Sequence, residues 1–135
     1  MAFRRYNRTK YNSRSVTVDG KVFDSEKEFR RYLDLKALEK AGEITDLQTQ
    51  VKFNLIPAQY ETIERYSKTG KRLKDTKKCI EKECSYIADF VYIKNGEMIV
   101  EDTKGYRDPS SAGYAKFVIK RKLMLYLRGI RVREI

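Results

Sequence analysis

The sequence predicts an α/β fold in the order α-β-β-β-α-β, a mixed central sheet flanked by helices, and three observations predict it. A serine three residues ahead of a glutamate, Ser25 and Glu28, opens a helical apolar stripe. Two runs rich in Ile, Val, Tyr and Phe, 86–93 and 97–103, are joined by a tight turn at Lys94-Asn95-Gly96-Glu97. A second helical stripe then ends at Gly129, and Ile130–Ile135 follows as a closing strand. With 135 residues, the chain has the length of a single domain with one modest core.

Residues 1–14 form a basic arm in which Arg4, Arg5, Arg8, Lys10 and Arg14 are interleaved with Phe3, Tyr6 and Tyr11. With few aliphatic residues such an arm does not pack alone; it orders against phosphates or stays a solvated tail. Val16–Phe23 alternates polar and apolar around Asp19-Gly20, a short hairpin. The first helix starts at the Ser25/Glu28 capping box, carries Phe29, Tyr32, Leu33, Leu35, Lys36 and Leu38 along its stripe, and ends at Ala41-Gly42.

Residues 47–55 alternate with period two and stop before Pro57, so they read as a strand with Leu47, Thr49, Val51, Phe53 and Leu55 on one side and Gln48, Gln50 and Lys52 on the other. Residues 58–85 have little apolar periodicity and contain Lys68, Lys71, Arg72, Lys74, Lys77, Lys78 and Lys82: a long basic loop or β-arm inserted in the domain 15–135. After the hairpin, Asp108-Pro109-Ser110-Ser111 is a turn leading into a helix of about 14 residues from Tyr114. Its apolar side is Phe117, Val118, Leu123, Met124, Leu125 and Leu127, and its basic side is Lys116, Lys120, Arg121 and Lys122. The Ser110–Tyr114 approach offers backbone N–H groups to an anion. The last strand is expected parallel to 97–103 through a right-handed crossover.

Lys plus Arg is 30 and Asp plus Glu is 19, a net charge of +11, which suits a polyanionic partner, and nucleic acid is the commonest one. The other reading of that charge is an architectural binder without chemistry. Histidine is absent, which excludes His-Cys zinc fingers, Ser-His-Asp triads and histidine-based nucleases. Cys79 and Cys84 are too few for a zinc site within one chain and are expected as reduced thiols. No run of about 18 apolar residues offers a membrane span, and no apolar stretch near Met1 reads as a signal peptide. A cytoplasmic protein is expected.

What remains is carboxylate and lysine chemistry. Along the strand 97–103, Asp102 and Lys104 share one face, with Glu101 and Thr103 on the other, so Glu101 is expected to matter far less than Asp102. If Asp89 on the partner strand faces the same way, two aspartates and a lysine converge. Mg²⁺ prefers hard oxygen ligands and takes few protein carboxylates, leaving positions for water and phosphate, so Asp89 and Asp102 are candidate ligands and Mn²⁺ is expected to substitute. Lys104 is placed to orient the attacking water and to offset charge on the phosphorane. The bland alternative is a half-exposed hairpin with an ordinary Asp–Lys ion pair.

The elements Phe23-Asp24-Ser25 with Glu28 and Tyr32, Gln50-Val51 with Phe53, Tyr86-Ile87-Ala88-Asp89-Phe90, and Val100-Glu101-Asp102-Thr103-Lys104-Gly105 resemble the PD-(D/E)XK nuclease superfamily. Within it they resemble a small nuclease-like family carried by phages and prophages, related to archaeal-type Holliday junction resolvases and restriction-type endonucleases. Ala88 stands where the signature has proline. The resemblance spans roughly residues 15–135 and implies a single-domain, restriction-endonuclease-like core. It also implies Asp89 in the first acidic position, Asp102 and Lys104 in the (D/E)XK element, the Thr103 carbonyl as a further metal ligand, and Glu28 as a possible one. For Glu28 this competes with the capping role that the local pattern assigns it.

The function expected is metal-dependent DNA endonuclease activity on branched DNA, of the junction-resolvase kind, in a phage or prophage protein acting in a bacterial cytoplasm. A resolvase makes two symmetric nicks, so a homodimer is expected. The competing functions are a restriction-type or nicking endonuclease on duplex DNA and a non-catalytic nucleic-acid binder. Candidate DNA contacts are Arg4, Arg5, Arg8, Lys116, Lys120 and Gln50.

Overall fold

The computed structural model describes residues 5–8, 14–105 and 107–135, without the side chains of 5–8 and 14. The protein is α/β, with two helices among the described residues and a mixed central sheet. The chain divides into two units, 1–51 with 87–135 and 52–86. No helix among the described residues is long and apolar enough to cross a membrane.

The first unit opens with three short antiparallel strands, β1 (Arg5–Arg8), β2 (Arg14–Val18) and β3 (Lys21–Phe23). Arg5 and Arg8 are therefore part of a strand paired with β2, not of a free arm, while Arg4 lies outside the described residues. Asp19 and Gly20 take φ of 50° and 77°, the left-handed pair that a two-residue hairpin turn requires. Val16 and Phe23 face each other across β2–β3 and pack on Phe29 as a small buried cluster.

Helix α1 (Glu26–Lys40) begins where Ser25 Oγ accepts the Glu28 N–H at 3.1 Å, and Gly42 leaves it at φ 79°. Leu35 is its most buried residue, followed by Glu28 and Phe29, whereas Leu33 is half exposed. Leu35 packs with Ile44, Phe90, Tyr92 and Ile99, which fastens α1 to one face of the central sheet.

That sheet runs in the order β4 (Thr45–Ile56), β7 (Cys84–Lys94), β8 (Glu97–Asp102), β9 (Arg133–Glu134). Asn95 and Gly96, at φ 53° and 76°, form the β7–β8 turn. The strands pair antiparallel with Phe90 opposite Glu101 and Tyr92 opposite Ile99 on the α1 face, and Val91 opposite Val100 on the other. β8 and β9 are parallel, and α2 (Ala112–Arg128) is the crossover that parallel neighbours need.

Helix α2 starts two residues before Tyr114 and ends as expected at Gly129, whose φ is 67°. There the Gly129 and Ile130 amides close on Leu125 and Met124 carbonyls. Phe117 and Met124, seven residues apart, are its buried line; Leu125 and Leu127 lie off that line and are about half exposed. The closing strand is two residues long and pairs with Glu101 and Asp102 of β8.

The second unit is built on an antiparallel ribbon, β5 (Gln59–Tyr66) with β6 (Arg72–Glu81), joined by a Ser67–Lys71 turn. Every residue of both strands is exposed. This is the basic segment without apolar periodicity, and it takes the β-arm form because a ribbon that buries neither face needs no alternating pattern.

Candidate active site

The β7–β8 register, continued one step from Phe90 and Glu101, puts Asp89 directly opposite Asp102 on the face away from α1. Asp102 is buried and Asp89 half buried. Lys104 Nζ lies 2.8 Å from Asp102 Oδ1, so the two residues that share a face by alternation also meet. The motif's exit is fixed by the last strand: the Lys104 N–H donates to the Ile135 carbonyl and the Ile135 N–H to the Asp102 carbonyl.

Thr103 departs from expectation. Strict alternation sends it to the Glu101 face, but β8 ends at Asp102, and the Thr103 amide and hydroxyl both donate to Asp89 Oδ2, at 2.8 and 2.9 Å. Thr103 therefore positions the first aspartate, whatever its carbonyl does.

The two carboxylate oxygens of Glu28 have different partners. Its Oε2 accepts the Asp24 N–H at 3.1 Å, one residue upstream of the N-cap amide a capping box would use, and its Oε1 accepts from Gln50 Nε2 at 3.1 Å. Gln50 Nε2 also reaches Asp89 Oδ1 at 3.4 Å, so one side-chain amide ties the helix carboxylate to the strand carboxylate. Gln50 does this from φ 53°, a left-handed conformation unusual for a non-glycine residue inside a strand.

Electrostatics follow from this crowding. Burial, then the charge of Asp89, pushes the Glu28 carboxyl up to about 7, with further contributions from Asp24 and Asp102 and against the Asp24 N–H bond. Asp89 is raised too, by burial and by Asp102, while the two Thr103 donors and Lys104 pull the other way. Perturbed carboxyls gathered at one place are a mark of functional centres.

The donor set suits a hard divalent cation. Three carboxylates repel one another here, and Mg²⁺ needs only one or two of them, the rest of its octahedron being water and substrate oxygen. Asp89 and Asp102 are the pair such a cation would meet, and Glu28 stands behind them through Gln50. Among the described residues no three His, Cys, Asp or Glu side chains are close enough to form a complete ligand group, so the fit is to a cation held by two carboxylates and not to an all-protein cage.

Other candidates lie apart from this centre. Lys116 is exposed and Lys120 half buried on α2, and among the described residues neither forms an ion pair, which leaves both available to phosphate. The amides of Ser110 and Ser111 are already taken by Asp108 and the Tyr114 hydroxyl by Glu134, so the approach to α2 is tied internally. The side chains of Arg5 and Arg8, like Arg4, lie outside the described residues.

Glu101 has structural partners of its own. It does fall on the opposite face, but with no exposed surface, gripped by Arg31 and by the Tyr92 hydroxyl. No sequence pattern joins residues 31, 92 and 101; only the packing of α1 on the sheet does.

No curated protein and no solved structure matches the chain. One family model does, over residues 8–131, and its description is "Protein of unknown function (DUF1064)". That match takes in β2 through α2 and every residue of the carboxylate–lysine centre, and the chain belongs to the DUF1064 family.

Proposed function

We propose that the protein is a metal-dependent DNA endonuclease of the PD-(D/E)XK kind, acting on branched DNA. The observation that carries this reading is Asp89 opposite Asp102 with Lys104 on the second aspartate, at the end of a β-hairpin in a chain of net charge +11. Setting aside β1–β3 and the β5–β6 ribbon, the element order α1, β4, β7, β8, α2, β9 is the α-β-β-β-α-β series of that superfamily.

Asp89 and Asp102 would hold Mg²⁺ or Mn²⁺, with the Thr103 carbonyl as a further oxygen donor and Glu28 behind the pair through Gln50. The cation supplies Lewis-acid polarisation of the phosphate and a more acidic water. The chain's own residues do the rest. Thr103 fixes Asp89 through two donors, and Gln50 fixes the angle between Asp89 and Glu28. Lys104 presents an ammonium beside the aspartate pair, where it offsets charge gathering on the phosphorane and orients the incoming water.

DNA is held by charge. Lys116 and Lys120 on α2, the N-terminal Arg4, Arg5 and Arg8, and the lysines of the exposed β5–β6 ribbon supply phosphate contacts. Two symmetric nicks at a junction call for a homodimer.

The test is a cleavage panel of four-way junction, flap, single-stranded and linear duplex DNA, with and without Mg²⁺ or Mn²⁺. Metal-dependent cutting of the junction in preference to duplex is expected. Preferential duplex cutting would replace the resolvase reading by a restriction-type one. No metal-dependent cutting of any substrate would leave a nucleic-acid binder.

A further inference from the structure

Lys104 is held at every point along its length. Its N–H donates to the Ile135 carbonyl, its own carbonyl accepts from Lys27 Nζ at 2.9 Å, and its ammonium meets Asp102. The remaining contact is of a different kind: the Nζ stands 4.0 Å from the centroid of the Phe117 ring. Phe117 is the first buried residue of α2, 5 % exposed, and its ring also lies tilted against that of Tyr114, with centroids 6.0 Å apart.

We propose that Phe117 is a positioning residue of the carboxylate–lysine centre, a cation–π seat that fixes the Lys104 ammonium beside Asp102. This rests on the reading of Lys104 as the lysine of a nuclease centre. A lysine carries a flexible four-carbon stem and does not by itself keep its charge at one point. Asp102 is a poor sole anchor, because any cation drawn to that aspartate competes with the ammonium for the same oxygens. The quadrupole of a phenyl ring is unaffected by such competition, and its attraction strengthens where water is excluded. With three-quarters of the Lys104 side chain covered, the seat is of the effective kind. The ring thus keeps the ammonium in reach when the carboxylate turns to another partner.

Two measurements test the seat. In the metal-free protein, proton–carbon NMR of lysine side chains should show the Lys104 ε-methylene shifted upfield by the ring current, the signal being identified by its loss in Lys104→Gln. The shift should persist in Phe117→Tyr and vanish in Phe117→Leu. A Lys104 signal at the position of exposed lysines in the parent protein would overturn the proposal. The second measurement places mono-, di- and trifluorophenylalanine at position 117, which drains the ring face of negative potential at nearly constant shape. Turnover of the best DNA substrate should fall step by step, reaching about tenfold for the trifluoro ring, with KM and melting temperature nearly unchanged. Phe117→Tyr should keep parental turnover. Equal turnover along the fluorine series would also overturn the proposal. A parent protein that cuts no DNA yet shows the upfield signal would refute the nuclease reading while supporting the seat, so the two failures are distinguishable.

Discussion

Arg31 grips Glu101 with two guanidinium nitrogens, Nε at 3.0 Å from both carboxylate oxygens and a terminal nitrogen at 2.9 Å from Oε2, where the carboxylate has no exposed surface. Glu101 follows Val100 and precedes Asp102, so the strand that presents the carboxylate–lysine cluster on one face is anchored to α1 on the other.

Removing one member of that pair strands a buried charge. Arg31→Met is expected to destabilise the protein by about 3 kcal/mol or more, measured by urea unfolding. Arg31→Met combined with Glu101→Leu should recover most of the loss, because the stranded carboxylate is gone. A single variant within about 0.5 kcal/mol of the parent would show that the pair carries no stability.

Asp102→Ala should abolish cleavage while leaving DNA binding intact or tighter, since it deletes a negative charge that faces phosphate. Cleavage equal to that of the parent in Mg²⁺ would remove Asp102 from the centre.

Glu28 makes stability depend on pH. Its carboxyl titrates at about 7 in the folded protein against 4.5 in the ordinary range, so between those values the folded state binds the extra proton. A folded-state pKa raised in this way gives stability that is complete below 4.5 and lost as pH climbs through 7, on the order of 3 kcal/mol across that window in metal-free protein. Glu28→Gln should flatten that part of the curve; an unchanged slope would assign it to other groups.

The left-handed backbone of Gln50 predicts a reversal of the usual order in strands. Gln50→Gly should be more stable than Gln50→Ala by about 1 kcal/mol in denaturant titration, because only glycine takes φ 53° without strain. Both variants should cut DNA more slowly, having lost the amide that joins Glu28 and Asp89. Alanine equal to glycine in stability would mean that the site relaxes.

The ribbon predicts a salt effect. Lys77→Gln with Lys78→Gln should weaken DNA binding about equally for all sequences and lower the slope of log affinity against log salt by about 2. An unchanged slope would place DNA elsewhere.

Features that depend on neighbours a few residues apart were legible in the sequence. Asn95-Gly96, Asp19-Gly20 and Gly129 mark their turns through φ alone, and Ser25 caps α1 through a bond to the third residue on. The pair Asp89 and Asp102 was legible as residues but not as neighbours, since the register that makes them face each other is set by that turn and by side-chain burial. Thr103 was misplaced because alternation holds only while a strand lasts, and β8 ends one residue earlier. Arg31 with Glu101, and Phe117 with Lys104, join residues far apart in the chain, and neither carries a local pattern that singles it out. The ribbon escaped any periodic reading because neither of its faces is buried.

One carboxylate both starts α1 and lines the centre, and this ties two timescales together. The first turn of a helix is ordinarily where fraying begins, opening and closing far faster than a domain unfolds. Here every such opening at Ser25 withdraws Glu28 from Gln50 and leaves the aspartates without their neighbour. Amide exchange at Glu28, whose N–H is held by Ser25 Oγ, measures how often that turn opens.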